Sequence, residues 1–260
     1  MRRWMGGKMS NSGVGRVLWW VCLVAAPAVL IGLELFHPAH FTADPGMFAF
    51  LSKPHDYDSH YVALGYPGPD WWFTLHFIQT PVVALVAVGL WLLAGKVDDA
   101  DGAIALTLAW LSRTATLTFL VYYTALDSIG GTGLGRLLLN THALAEAGRL
   151  TPAQVEGVAL VLNTTWVDPW VGGVRSFISE TGSWAVFAAV LLAAAALLLA
   201  RKAPWPPLLV LLAFGWQLNI AHASPHGPIA FALLIVAAVW LWWSERKGAH
   251  RKFTAEDLRG

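Results

Sequence analysis

Six stretches of this 260-residue chain, near 17–36, 73–95, 103–127, 183–200, 205–222 and 228–243, are apolar with very few charges. A helix rises about 1.5 Å per residue, so roughly twenty such residues match the ~30 Å hydrocarbon core of a bilayer. Within lipid a segment must satisfy its own backbone N–H and C=O groups, which makes each run a helix. The last run is short for that core and is expected to begin in the preceding turn. The chain is 57% hydrophobic and 13% charged, with a mean hydropathy of +0.56. A water-soluble domain is nearer a quarter charged, so most of this surface faces something other than water. The expected fold class is all-α: a polytopic integral membrane protein, a six-transmembrane-helix bundle.

Charge placement predicts orientation. Arg2, Arg3, Lys8, Arg16, Lys96, Arg201, Lys202, Arg246, Lys247, Arg251, Lys252 and Arg259 fall on one side of such a bundle. Lys53, Arg136, Arg149 and Arg175 fall on the other, and Arg113 lies inside a span. Basic loops stay cytoplasmic, so both termini are expected inside and the plasma (inner) membrane is the expected location. The basic N-terminus precedes a run too long for a cleaved signal, and reads as a retained anchor. Tryptophans agree with two interfacial belts: Trp71, Trp72, Trp166, Trp170 and Trp184 outside, and Trp19, Trp20, Trp91, Trp205, Trp240, Trp242 and Trp243 inside.

This reading divides the chain into a cytoplasmic segment 1–16, a transmembrane domain 17–243 and a cytoplasmic tail 244–260. Outer loops cover 37–72, 128–182 and 223–227. The loop between spans 3 and 4 opens on a glycine cluster, GGTGLG at 130–135, which is expected to turn the chain between two helices. Two amphipathic helices follow. One spans Leu134 to Arg149; the other starts at Thr151, with Pro152 at its first position and Gln154 completing a capping box. Both need an apolar partner, either the membrane surface or the top of the bundle. The sole cysteine, Cys22, lies in the first run and excludes an intrachain disulfide or a thiolate metal cage. No basic run is long enough to follow phosphates, which excludes a nucleic-acid partner.

Polar residues in such spans are costly and mark function. Here they gather at one level near the outer side: Glu34 near the end of span 1, followed by His37 and His40, His76 and Gln79 in span 2, and Asp127 closing span 3. Gln217, Asn219 and His222 end span 5, and His226 follows in the turn. Imidazoles with carboxylates are the usual donors to transition metals, so Glu34, His37, His40, His76, Asp127, His222 and His226 are the candidate ligands of a metal ion or a haem. The spacing of these residues matches no specific metal motif. The run HDYDSH at 55–60 reads as a wet loop.

Two other functions fit the sequence. Arg113, with Thr116, Thr124 and Asp127 on nearly the same face of span 3 and Tyr123 beside them, would suit a small carrier or proton-coupled permease. The Ala-rich fourth span would suit a non-catalytic subunit packing against a larger membrane complex or a second copy of itself.

Overall fold

The structure, a computed structural model, describes residues 13–38, 41, 71–173 and 175–257, with side chains described to residue 246. His40 and the 55–60 run lie outside the described residues. Every regular element among them is helical. The helices are α1 (Gly13–Leu35), α2 (Trp71–Ala94), α3 (Ala103–Leu126), α4 (Leu134–Glu146), α5 (Pro152–Trp166), α6 (Phe177–Leu199), α7 (Trp205–Ile220) and α8 (His226–Asp257).

Five helical stretches are long and apolar enough to cross a membrane: α1, α2, α3 with its continuation, α6 and the first part of α8. The sixth apolar helix, α7, has 16 residues, about 24 Å of helix, and falls short of a full crossing. Hydropathy alone makes 228–243 the shortest span. That short apolar run is instead the middle of the longest single α-helix, because α8 starts at His226 and continues past Ser244 to Asp257. The charged tail is therefore largely helical.

Six helices form a closed ring in chain order. Each of α1, α2, α3, α6, α7 and α8 packs on its successor, and α8 packs back on α1. Small residues permit the close approach of α6, whose Ala185, Ala189, Ala193 and Ala196 are buried. The buried Ser112 hydroxyl donates to the Ala189 carbonyl at 2.8 Å and ties α3 to α6. The core is a continuous apolar cluster that includes Leu30, Val83, Phe119, Val186, Phe214 and Phe231. Cys22 is fully buried within α1, where a π-helical stretch, Val21–Ala25, interrupts the α-helix.

One end of the ring is marked by charged contacts. Lys96 pairs with Glu245 and lies 4.0 Å over the Trp19 ring, while Lys202 reaches Asp101 at 3.1 Å and Asp98 at 3.9 Å. The start of α1 and the last turns of α8 belong to this end, which is therefore termed the terminal end. The opposite end carries the histidines and is capped by α4 and α5. These two helices bury Leu134, Leu138 and Leu162 against Trp72 and Phe41 in a second apolar cluster. The capping box forms as the sequence predicts: Thr151 Oγ1 accepts from the Gln154 N–H at 3.3 Å, and Gln154 Oε1 accepts from the Thr151 N–H at 2.8 Å.

The glycine cluster does not turn the chain. Helix α3 runs through a π-helical segment, Asp127–Gly133, straight into α4, giving one 44-residue helical stretch. The physical reason is packing. A Cβ on Gly131 would stand 2.4 Å from His76 Cγ, so α2 and the α3–α4 junction meet at a distance only glycine allows. Trp72 then donates to the Gly130 and Gly131 carbonyls, each at 3.1 Å. These are carbonyls the wider π turn leaves available. Trp72 is consequently buried, and Trp19 is buried at the other end, so neither belongs to an interfacial belt. Trp91, Trp170, Trp184, Trp205, Trp240 and Trp243 are exposed.

Candidate functional site: a two-level polar cluster at the histidine end

Helical register places the polar residues in two levels. Glu34 and His37 lie three apart at the end of α1, and His76 and Gln79 three apart near the start of α2. Tyr123 and Asp127 lie four apart at the end of α3. Since α1 and α3 run toward the histidine end and α2 runs away from it, the pairs stack in matching order. His37, His76 and Asp127 form an upper level; Glu34, Gln79 and Tyr123 form a lower one. His222, in the turn between α7 and α8, joins the upper level.

In the upper level, His37 Nε2 and His76 Nε2 face each other at 3.3 Å, and both side chains are buried. His37 Nδ1 lies 2.6 Å from the Pro38 carbonyl and His76 Nδ1 lies 2.7 Å from the Trp72 carbonyl. A carbonyl only accepts, so each Nδ1 donates, and the Nε2···Nε2 contact is then held by a proton on one ring or by a metal cation. The His222 ring packs 5.1 Å from that of His37 and 5.9 Å from that of Tyr123. Asp127 is buried and accepts from Thr80 Oγ1 at 3.1 Å. A cavity of ≈ 40 Å³ is lined by His37, Trp72, His76, Asp127 and His222, with Gly131 and Trp166 in its wall. It admits an ion with a water or two. A haem macrocycle is too large for it.

Among the described residues, no group of three or more His, Cys, Asp or Glu side chains is placed to hold a metal ion. The upper level brings two imidazoles together, with His222 and Asp127 lining the same cavity.

In the lower level, Gln79 Nε2 donates to Glu34 Oε1 at 2.8 Å and also to the Tyr123 hydroxyl. All three side chains are buried. Among the described residues, Glu34 Oε2 and Gln79 Oε1 have no donor. Both orphans are acceptors, and a buried acceptor without a donor costs about 1–3 kcal/mol. An amide at position 34 replaces one orphan acceptor with a donor. Glu34→Gln is accordingly expected to leave stability unchanged or raise it by about 1 kcal/mol, measured by thermal unfolding in detergent. A loss above about 2 kcal/mol would show that the site holds a charged carboxylate with a counter-charge.

The polar path ends below this level. One turn deeper on each helix stand Leu30, Val83 and Phe119, all buried, and Phe214 and Phe231 close the ring. Thr116 is buried but its hydroxyl donates to the Ser112 carbonyl of its own helix at 2.9 Å.

The remaining candidates lie apart from the cluster. His226 Nδ1 bonds Gln217 Oε1 at 2.8 Å and joins α8 to α7. Asn219 on α7 has a buried Nδ2 without a partner. Arg113 points toward the terminal end, where its guanidinium lies beside Gly95 and over Trp110. Sequence reasoning misses the cavity walls Trp72, Gly131 and Trp166, and the Thr80 hydroxyl that donates to Asp127. The one available signal is the glycine cluster, since several glycines close together also mark close helix approach.

No family model, curated protein or solved structure matches this chain.

Proposed function

We propose that this chain is a multi-pass membrane protein that binds a transition-metal ion at a buried centre opening toward the outer side, with His37 and His76 as its first two ligands. The observation that carries this reading is the 3.3 Å separation of the two Nε2 atoms, with both rings held by backbone carbonyls. Two nitrogens each about 2.0–2.1 Å from a tetrahedral ion lie about 3.3 Å apart, so the pair is already spaced for one. Carbonyls bonded to Nδ1 fix the tautomer and ring angle, which is the usual outer support of metal-bound imidazole. His222 and Asp127 line the same cavity and are the natural candidates for a third ligand and a charge partner. Water would complete an open shell of the kind that permits chemistry at the ion.

The six-span topology with cytoplasmic termini is part of this proposal. Ring closure in chain order, the shared terminal end and the bias of basic residues support it. A carrier reading through Arg113 has less support, because the apolar layer of Leu30, Val83 and Phe119 separates that arginine from the polar cluster.

Metal analysis of detergent-purified protein tests the proposal. About one equivalent of a first-row transition metal is expected after loading and desalting. A protein that stays metal-free, and whose His37→Ala variant behaves identically, would refute it.

A further inference from the structure

We infer that the groove between α2 and α3 at the terminal end binds the phosphodiester of a phospholipid, with Arg113 as the anchoring cation. Arg113 enters α3 ten residues after Ala103, about 15 Å along the helix. Long helical side chains lean toward the helix N-terminus, and here that direction leads to the terminal end. The guanidinium arrives beside Gly95, where a Cβ would stand 3.1 Å from Nη2. Glycine thus keeps open the space that the guanidinium occupies.

The guanidinium has five donors. Among the described residues no carboxylate or carbonyl bonds it, and its Nε is buried without a partner. Its neighbours are aromatic: the Trp110 ring at 4.6 Å and the Trp91 ring at 5.8 Å. Of the described carboxylates at this end, Asp98 and Asp101 face Lys202 and Glu245 pairs with Lys96, and Asp99 in the same turn makes no ion pair with Arg113. Arg113 is half-buried with its Nε enclosed, where an unpaired cation is costly, and a planar guanidinium is well matched to two phosphate oxygens.

The surroundings decide between a lipid and a free anion. Trp91 and Trp110 are exposed, and so are Val88 and Leu111 on the same two helices. The groove therefore opens sideways onto an apolar face rather than only into water, and indoles at this depth sit where headgroups begin. A phosphate carrying two acyl chains would satisfy the guanidinium and cover those apolar residues together. This inference is independent of the metal centre at the other end.

Native mass spectrometry of the full chain, with phosphatidylglycerol as the added probe, tests it. Wild-type protein is expected to retain one more phospholipid than Arg113→Gln, with Arg113→Lys intermediate. Phosphatidylglycerol should raise the wild-type Tm, and a diacylglycerol with the same chains should not. Should Arg113→Gln fail to fold, Gly95→Val displaces the guanidinium while keeping the charge, and must show the same lost lipid. Equal lipid retention by wild type and variants would overturn the inference. So would equal stabilisation by diacylglycerol, or stabilisation by inorganic phosphate alone, which would mark a free-anion site.

Discussion

His76→Ala is expected to lower affinity for a loaded transition metal by at least about 100-fold. Loss of an outer-shell partner alone costs about 10–100-fold, and here a direct donor goes. The variant removes one of two nitrogens that stand 3.3 Å apart and leaves His37 without its counterpart. His37→Ala should fall equally far. His226→Ala is the informative control, because that imidazole is held by Gln217 and should leave metal affinity unchanged. Equilibrium competition against a chelator of known affinity gives the comparison. Equal losses in all three variants would mean that the histidines act through general stability rather than as a pair.

Gly131→Ala should be nearly as damaging, although it touches no donor atom. The added methyl would lie 2.4 Å from His76 Cγ, 2.5 Å from Cδ2 and 2.6 Å from Cβ. No side chain tolerates such contacts, and the His76 ring is itself pinned to the Trp72 carbonyl. Either the imidazole leaves its position or α2 moves away from the α3–α4 junction. Overpacking of this kind costs about 1–3 kcal/mol, and either response also breaks the Nε2 pair. Gly130→Ala supplies the contrast. Its Cβ would meet the Trp166 ring at 3.5 Å, an ordinary contact, so stability and metal binding should both survive. Thermal unfolding and metal titration of the two variants side by side check the claim. Equal behaviour of the two would contradict the close packing of His76 on Gly131.

How far these features can be read from sequence depends on what fixes them. The apolar helices follow from hydropathy alone, because lipid forces each apolar run to close its own hydrogen bonds. The capping box at Thr151 and Gln154 is equally local, needing only residues three apart. The convergence of Glu34, His37, His76, Gln79, Tyr123, Asp127 and His222 is legible as a shared depth, since helix register and direction set the height of each residue. Depth is silent about rotation around each helix axis, however. That is why His226 and Gln217, at a similar height, pair with each other, and why Arg113 leaves the polar face of span 3 for the opposite end. The glycine cluster is misread as a turn for a related reason. Glycine serves turns and close packing alike, and only the position of His76 against Gly131 distinguishes them. The burial of Trp72 follows from that same contact, which no local pattern reveals.

X-ray absorption at the edge of the loaded metal tests the paired-imidazole centre most directly. Such a centre predicts nitrogen neighbours at about 2.0–2.1 Å with the outer-shell scattering of at least two imidazoles, falling to one fewer in His76→Ala. A first shell made of oxygen alone, or an imidazole count unchanged by that substitution, would contradict it.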